Sequence, residues 1–201
     1  RLAPTALRTT GASLTAVISV TAVNDAPVVL NAVGASLIPI SEDPATNTGT
    51  PVATLIDTFV TDADAGAAQG IAVTGFTGTG TWQYSTNSGN VWSAIGPISG
   101  TSARMLTDNG TVLVRYVPAA NENGSFSITY RLWDRTTGSQ GGLADASVNG
   151  GTTAFSLATM TSAVVVTPVN DAPVITVAAV GGPISGLEGG SIPIPFSITL
   201  N

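Results

Sequence analysis

Asp, Glu and Asn residues beside turns are the groups of this chain whose types and spacing could do chemistry. The 201 residues hold twelve acids against six Arg, with no Lys, no His and no Cys. The usual general bases and nucleophiles are therefore missing, and a Ser or Thr hydroxyl has no partner to activate it. Paired carboxylates could still hydrolyse a glycosidic bond, but only in a cleft that sets their separation. The chain reads as non-enzymatic. Five acids stand out beside turns, among Gly, Ala, Asn and Pro: Asp25, Glu42, Asp62, Asp64 and Asp134. Asp62 and Asp64 in "TDADAG" are two residues apart, so their side chains share a face if a strand runs through them. Oxygen donors at such spacing suit a hard cation such as Ca²⁺, which collects carboxylates and carbonyls. A single Asp in a turn needs no metal, because it hydrogen-bonds its own backbone. The set as a whole is what points to a cation.

The acids belong to a repeating frame. "VNDAPV" occurs at Val23–Val28 and again at Val169–Val174, an offset of 170 − 24 = 146 residues between Asn24 and Asn170. Glu42 falls on Glu188 at the same offset, and the alternating run Leu14, Ala16, Ile18, Val20 falls on Met160, Ser162, Val164, Val166. Such self-similarity is the mark of a tandem array. The expected division is 1–23 as the last strand or strands of one repeat, 24–169 as a complete repeat and 170–201 as the opening of a third. A unit of that length can bury its own core. The third breaks off before it could close a sheet, so the chain is expected to be a piece of a longer protein. "RLAPTALRTT" has no apolar run typical of a secretion signal, and no stretch reaches bilayer length.

The elements that must position these acids are strands. "SFSITYRLW" alternates Phe126, Ile128, Tyr130 and Leu132 with polar neighbours. Similar runs are "SLIPI", "PVATLIDTFV", "GIAVTGF", "TWQYS", "NVWSAI", "TVLVRYVP" and "TSAVVVTPV", separated by Gly, Asn, Asp and Pro. The expected fold class is all-β, with each repeat a sandwich of two packed antiparallel sheets. The segment from Gly75 to Asn109 reads as an added hairpin, and Arg135 to Thr153 as a solvated loop. The net charge of −6 disfavours nucleic acid and anionic lipid as partners, both of which need basic surface. The absence of Cys leaves stability to cores or hard ions.

In their order the motifs resemble cadherin repeats. "ISEDPATNTGTPVATLIDTFVTDADAG" resembles an opening Glu followed by an Asp-Ala-Asp, "YRLWD" a late strand ending in one Asp, and "VNDAP" the linker between repeats of giant bacterial surface proteins. The resemblance implies tandem Ig/cadherin-like antiparallel β-sandwich repeats with calcium at the inter-repeat junctions. At the first, Asn24 and Asp25 would meet Asp62, Asp64 and Asp134. At the next, Glu42 would lie at the far end with Asn170 and Asp171, the remaining ligands coming from the following repeat. The linkers here lack acids that cadherins usually carry, with Ala22 and Ala26 at one and Pro168 and Ala172 at the other. One or two ions per junction are expected, stiffening the rod while Pro27 and Pro173 fix the backbone beyond.

A second motif, "STNSGNVW" from Ser85 to Trp92, resembles the sialidase-type Asp-box with Asn87 in place of the Asp. It reads as the turn of a hairpin, with Trp82 and Trp92 covering a sheet face. The functional alternative is a glycan platform of Trp82, Tyr84 and Trp92, since such rings stack on sugars. The remaining cations, Arg104, Arg115, Arg131 and Arg135, read as solvated or internally paired. The expectation is a structural or adhesive segment of a secreted, cell-surface bacterial repeat protein: a stalk, filament or surface layer. Its partners would be neighbouring repeats, other copies in a filament or layer, and surface glycans. A glycan-binding module is the alternative, and an accessory region of a secreted enzyme stands behind both.

Overall fold

A computed structural model describes residues 18–44, 46–67 and 69–172, and the backbone of 174–176 and 197–199. The expected strand over Leu14 and Ala16, and Glu188 in the third repeat, lie outside the described residues.

The chain is mostly β-sheet. In order, the elements are β1 (Val28–Val29), β2 (Ile40–Ser41), β3 (Thr50–Pro51), α1 (Val52–Ile56), a 3₁₀ turn (Asp57–Phe59), β4 (Val60–Thr61), β5 (Gly70–Phe76), β6 (Thr81–Ser85) and β7 (Ser93–Ala94). Then follow β8 (Ala103–Thr107), β9 (Leu113–Val117), β10 (Gly124–Trp133), β11 (Leu143–Ala144), β12 (Phe155–Thr167), β13 (Val174–Thr176) and β14 (Ser197–Thr199). A six-stranded sheet has the order β11-β8-β5-β10-β12-β2, and a four-stranded sheet the order β3-β9-β6-β7. Two small pairs, β1-β4 and β13-β14, complete the set.

Period-two patterning makes these strands and a shared core joins the sheets. Ile128, Tyr130 and Leu132 of β10 and Met160, Val164 and Val166 of β12 point to the side on which Trp82 of β6 and Val114 and Tyr116 of β9 also lie buried. Trp82, Tyr116 and Phe126 stack in sequence at centroid distances of 5.0 and 4.8 Å. β5 departs from alternation because both of its faces are covered. Ile71 and Val73 enter the main core, while Ala72 meets a second cluster with Met105, Trp133, Ala146 and Phe155.

That second cluster corrects the reading of Arg135–Thr153 as a solvated loop. The segment lies back over the outer face of the larger sheet. β11 pairs with β8, Ala146 is fully buried and donates its N–H to Gly100 O, and Trp133 Nε1 donates to Thr137 O at 2.7 Å. Small and glycine-rich residues permit this close approach. The added-hairpin reading of Gly75–Asn109 is corrected as well: β6 is an inner strand of the smaller sheet and β8 an inner strand of the larger. The β6–β7 turn is a hairpin, with Gln83 opposite Ala94 and Tyr84 opposite Ser93.

The run "PVATLIDTFV", expected as a strand, contains a helical turn. Val52, Leu55 and Ile56 at i, i+3 and i+4 are all buried, so one helical turn plugs the core where a strand would turn every second residue outward. Pro51, at φ −59°, suits the entry to that turn.

One edge is parallel rather than antiparallel. The strap through residues 32–42 runs beside β12 in the same direction, with Gly34 N–H to Thr161 O, Leu37 N–H to Ala163 O, and Ile40 opposite Val166. Gly34 must be glycine, since a Cβ there would meet the Tyr130 hydroxyl, Ser162 Oγ and Leu55 O. The strap carries the chain from the Asp25 end of the domain to the Glu42 end.

Candidate functional site

Two acidic ends flank β10. Asn123 precedes its first residue and Asp134 follows its last, and ten strand residues span about 30 Å at ~3.3 Å each. The groups singled out from the sequence sort to these two ends.

At the first end the Asn24–Asp25 segment is hydrogen-bonded to two acids, Asp134 and Asp64, and Asp64 in turn to Asp62. Asn24 Nδ2 donates to Asp134 Oδ2 at 2.8 Å and reaches Thr153 O at 3.3 Å. The N–H of Asp25 donates to Asp64 Oδ2 at 2.8 Å, and the N–H of Asp64 to Asp62 Oδ1 at 2.9 Å. Asp134, only 4 % exposed, also accepts the N–H and the hydroxyl of Thr136 on Oδ1. A buried carboxylate needs such donors to offset lost hydration. Asn24, Asp64, Asp134 and Arg135 line one shallow cavity. Arg135 adopts the left-handed conformation, φ 69°, immediately after Asp134. Nearby, burial pushes the carboxyl of Asp108 up, opposed by its own backbone hydrogen bond and by the charge of Arg135.

At the opposite end Glu42, 5 % exposed, is held on both oxygens. Val169 N–H donates to Oε1 at 2.6 Å and Asn123 Nδ2 to Oε2 at 3.0 Å. Asn170 and Asp171 line the same surface depression as Glu42, Asn121 and Asn123. Hydrogen bonds thus link Asn24 to Asp134 and Asp25 to Asp64 and, through it, Asp62 at one end, and Asn170 and Asp171 border the depression that Glu42 lines at the other.

Carboxylate and amide oxygens, present at the first end, are the donor types that a hard divalent cation takes. The arrangement itself is held by hydrogen bonds. Among the described residues no three Asp, Glu, His or Cys side chains are grouped so that they could hold a metal ion.

The aromatic hairpin divides differently. Trp82 is 2 % exposed and donates its Nε1–H to Thr77 O, so its face is in the core and unavailable to a sugar. Tyr84 and Trp92 are partly exposed, each with an arginine over its ring: Arg104 at 5.3 Å and Arg115 at 3.9 Å from the centroid. The turn is wired by Ser85 and Asn87. Ser85 Oγ accepts from the N–H of Gly89, and Asn87 Oδ1 accepts from the N–H of Val91 and the hydroxyl of Ser85. Asn87 thus supplies the acceptor that an Asp would. The arginines hold loops and strands: Arg104 donates to Ile95 O and Gly141 O, Arg115 to Asn47 O and to Gln83 Oε1 of β6, and Arg131 to Ser156 O and Leu157 O of β12.

Glu122 was not among the acids singled out by motif, yet it has the most donors. Its Oε1 accepts the N–H and hydroxyl of Thr79, and its Oε2 accepts the Tyr116 hydroxyl at 2.6 Å and the N–H of Ala119. Burial works against its charge, but these donors pull its pKa down to about 2. Burial and the same carboxylate push the Tyr116 phenol up to about 12. The signal in the sequence was slight, an acid three residues after Ala119 in the turn after "VRYVP".

No family model, curated protein or solved structure matches this chain.

Proposed function

We propose that the chain is a cadherin-like tandem repeat segment of a large extracellular bacterial surface protein. Residues 24–169 form its complete repeat, flanked by the end of one neighbour and the start of the next. Its role is structural or adhesive, in a stalk, filament or surface layer, and it is not catalytic. The observation that carries this reading is the placement of the repeated linker: Asn24 and Asp25 against Asp134 and Asp64 at one end, and Asn170 and Asp171 beside Glu42 at the other. Two copies of one motif at opposite ends of one domain are what an end-to-end array requires.

In that array calcium is the junction ion. Asp62, Asp64 and Asp134, with the linker's Asn24 and Asp25, would hold it at the first end. Glu42, Asn170 and Asp171 would begin the equivalent site at the second. The ion would supply cross-linking charge between linker and domain and so limit bending, since interfaces between linked domains are otherwise modest. The test is calorimetric titration of a two-repeat chain with calcium, beside an Asp62→Ala, Asp64→Ala variant. Saturable binding lost in the variant supports the reading. No binding at millimolar calcium removes the metal from it, and a chain that is equally floppy in calcium and in chelator by electron microscopy removes the stiff rod.

A further inference from the structure

Asn-Gly occurs three times in the chain, at Asn109-Gly110, Asn123-Gly124 and Asn149-Gly150. We propose that the fold selects Asn109 for spontaneous conversion to aspartate and isoaspartate and protects Asn123 and Asn149.

In this chemistry the backbone nitrogen of the glycine gives its proton to solvent base and attacks Cγ of the preceding asparagine. The C–N bond of a succinimide forms, and the C–NH₂ bond breaks to release ammonia. Water then opens the ring at either carbonyl, leaving aspartate or isoaspartate. The sum is Asn plus water giving Asp or isoAsp plus ammonia, with no redox partner and no enzyme. The rate depends on three local features: a free glycine N–H, a chain able to bring nitrogen to Cγ, and stabilisation of the oxyanion that develops on Oδ1.

The three sites differ in each. Asn109 and Gly110 are exposed in the turn between β8 and β9, with Gly110 at φ 79°. Among the described residues the N–H of Gly110 has no acceptor, so its nitrogen is free to react. Asn109 Oδ1 receives two donors, the N–H of Thr111 at 3.2 Å and its hydroxyl at 2.9 Å, which polarise the amide towards attack. That hydroxyl can instead donate to Thr86 O at 3.4 Å, and Asn109 Nδ2 donates to Gln140 Oε1 at 3.4 Å, a longer hold than those on the amides of Asn123 and Asn149.

Gly150, by contrast, gives its N–H to Phe155 O at 2.7 Å, and Asn149 Nδ2 is anchored on Ala146 O and Ser147 O. Gly124 is fixed as the first residue of β10, opposite Val166. Asn123 donates its amide to Glu42 Oε2, which feeds electron density into the carboxamide and lowers its electrophilicity. Conversion at Asn109 would place a new carboxylate beside Asp108, whose charge interacts with Arg135 at the first acidic end.

The experiment is peptide mapping by mass spectrometry of the intact chain, incubated at mildly alkaline pH in buffer and in urea. The one-unit mass gain and the split into aspartyl and isoaspartyl peptides are followed at each site. In buffer, Asn109 is expected to convert roughly tenfold faster than the other two, with the three rates converging in urea. A Thr111→Val chain with unchanged circular dichroism should convert Asn109 more slowly, though by less than the roughly hundredfold loss of a preorganised enzyme donor, because this turn is wet. Asn123 or Asn149 matching Asn109 in buffer would overturn the proposal. So would an Asn109 rate in buffer below its rate in urea, or a Thr111→Val rate equal to that of the parent.

Discussion

Replacing Glu122 with Gln should remove an acid-sensitive clamp from the β9–β10 turn. The native carboxylate takes four donors, from Thr79, Tyr116 and Ala119, and its pKa falls from 4.5 to about 2. The folded value is below the unfolded one, so the charge stabilises the fold above about pH 4.5 and that contribution is lost as pH falls towards 2. At ~1.36 kcal/mol per pKa unit the shift sets a ceiling of about 3.4 kcal/mol. Glu122 is partly exposed, and solvent screening reduces this to about 1–2 kcal/mol. In the Glu122→Gln chain the amide NH₂ would face the N–H of Ala119 or the hydroxyl and N–H of Thr79, donor against donor. Urea unfolding at a series of pH values between about 7 and 2.5 reads the effect. The variant should be less stable by about 1–2 kcal/mol at neutral pH, a fall of about 2–8 °C in Tm. Its stability should converge on that of the parent as the acid limit is approached. Parallel pH profiles would refute the reasoning, because the carboxylate would then not be the seat of the linkage. Burial, reinforced by the same hydrogen bond, gives an alkaline limb: the Tyr116 phenol, raised from 10.0 to about 12, stabilises the fold below pH 10 and loses that contribution as pH rises through 12. In a Tyr116→Phe chain that alkaline limb should be absent.

Other perturbations separate the packing roles. Trp82→Ala should cost about 3–5 kcal/mol in urea unfolding, whereas Trp92→Ala, which removes a partly exposed ring lying against Arg115 and Gly49, should cost less, about 1–2 kcal/mol. Loss of glycan binding on Trp92→Ala with the fold intact would revive the aromatic platform. Gly34→Ala should destabilise by about 1–3 kcal/mol, since its methyl group meets Tyr130 and Ser162 beneath the strap, and a neutral result would show that the strap moves freely. Ala146→Asp should lower Tm by burying an unpaired charge on the outer face of the larger sheet, whereas an unchanged Tm would mean that the segment does not pack there.

The acids show how far linear order reaches. Asn24, Asp25, Asp62, Asp64 and Asp134 were grouped through the order of motifs that resembles cadherin repeats, and in the fold hydrogen bonds link Asn24 to Asp134 and Asp25 to Asp64 and, through it, Asp62. Glu42 was legible as their distant counterpart, and the strap beside β12 carries it there. Glu122 was not, because nothing nearby in the chain announces that Thr79 and Tyr116 will converge on it.

Strands follow the same division. The alternation in β10 and β12 was readable because a half-buried strand must turn every second side chain to the core. The helical turn at Val52–Ile56 and the packing of 135–153 were not, since short apolar or glycine-rich runs have no period long enough to choose between states. Trp82 and Trp92, ten residues apart in similar company, look alike as letters. The amino-acid order carries the strand pattern, the repeated linker and the choice of acids, all of which depend on near neighbours. Which tryptophan is buried, which loop becomes a second core and which acid becomes a clamp depend on contacts between residues far apart in the chain, and those exist only once the sheets have closed.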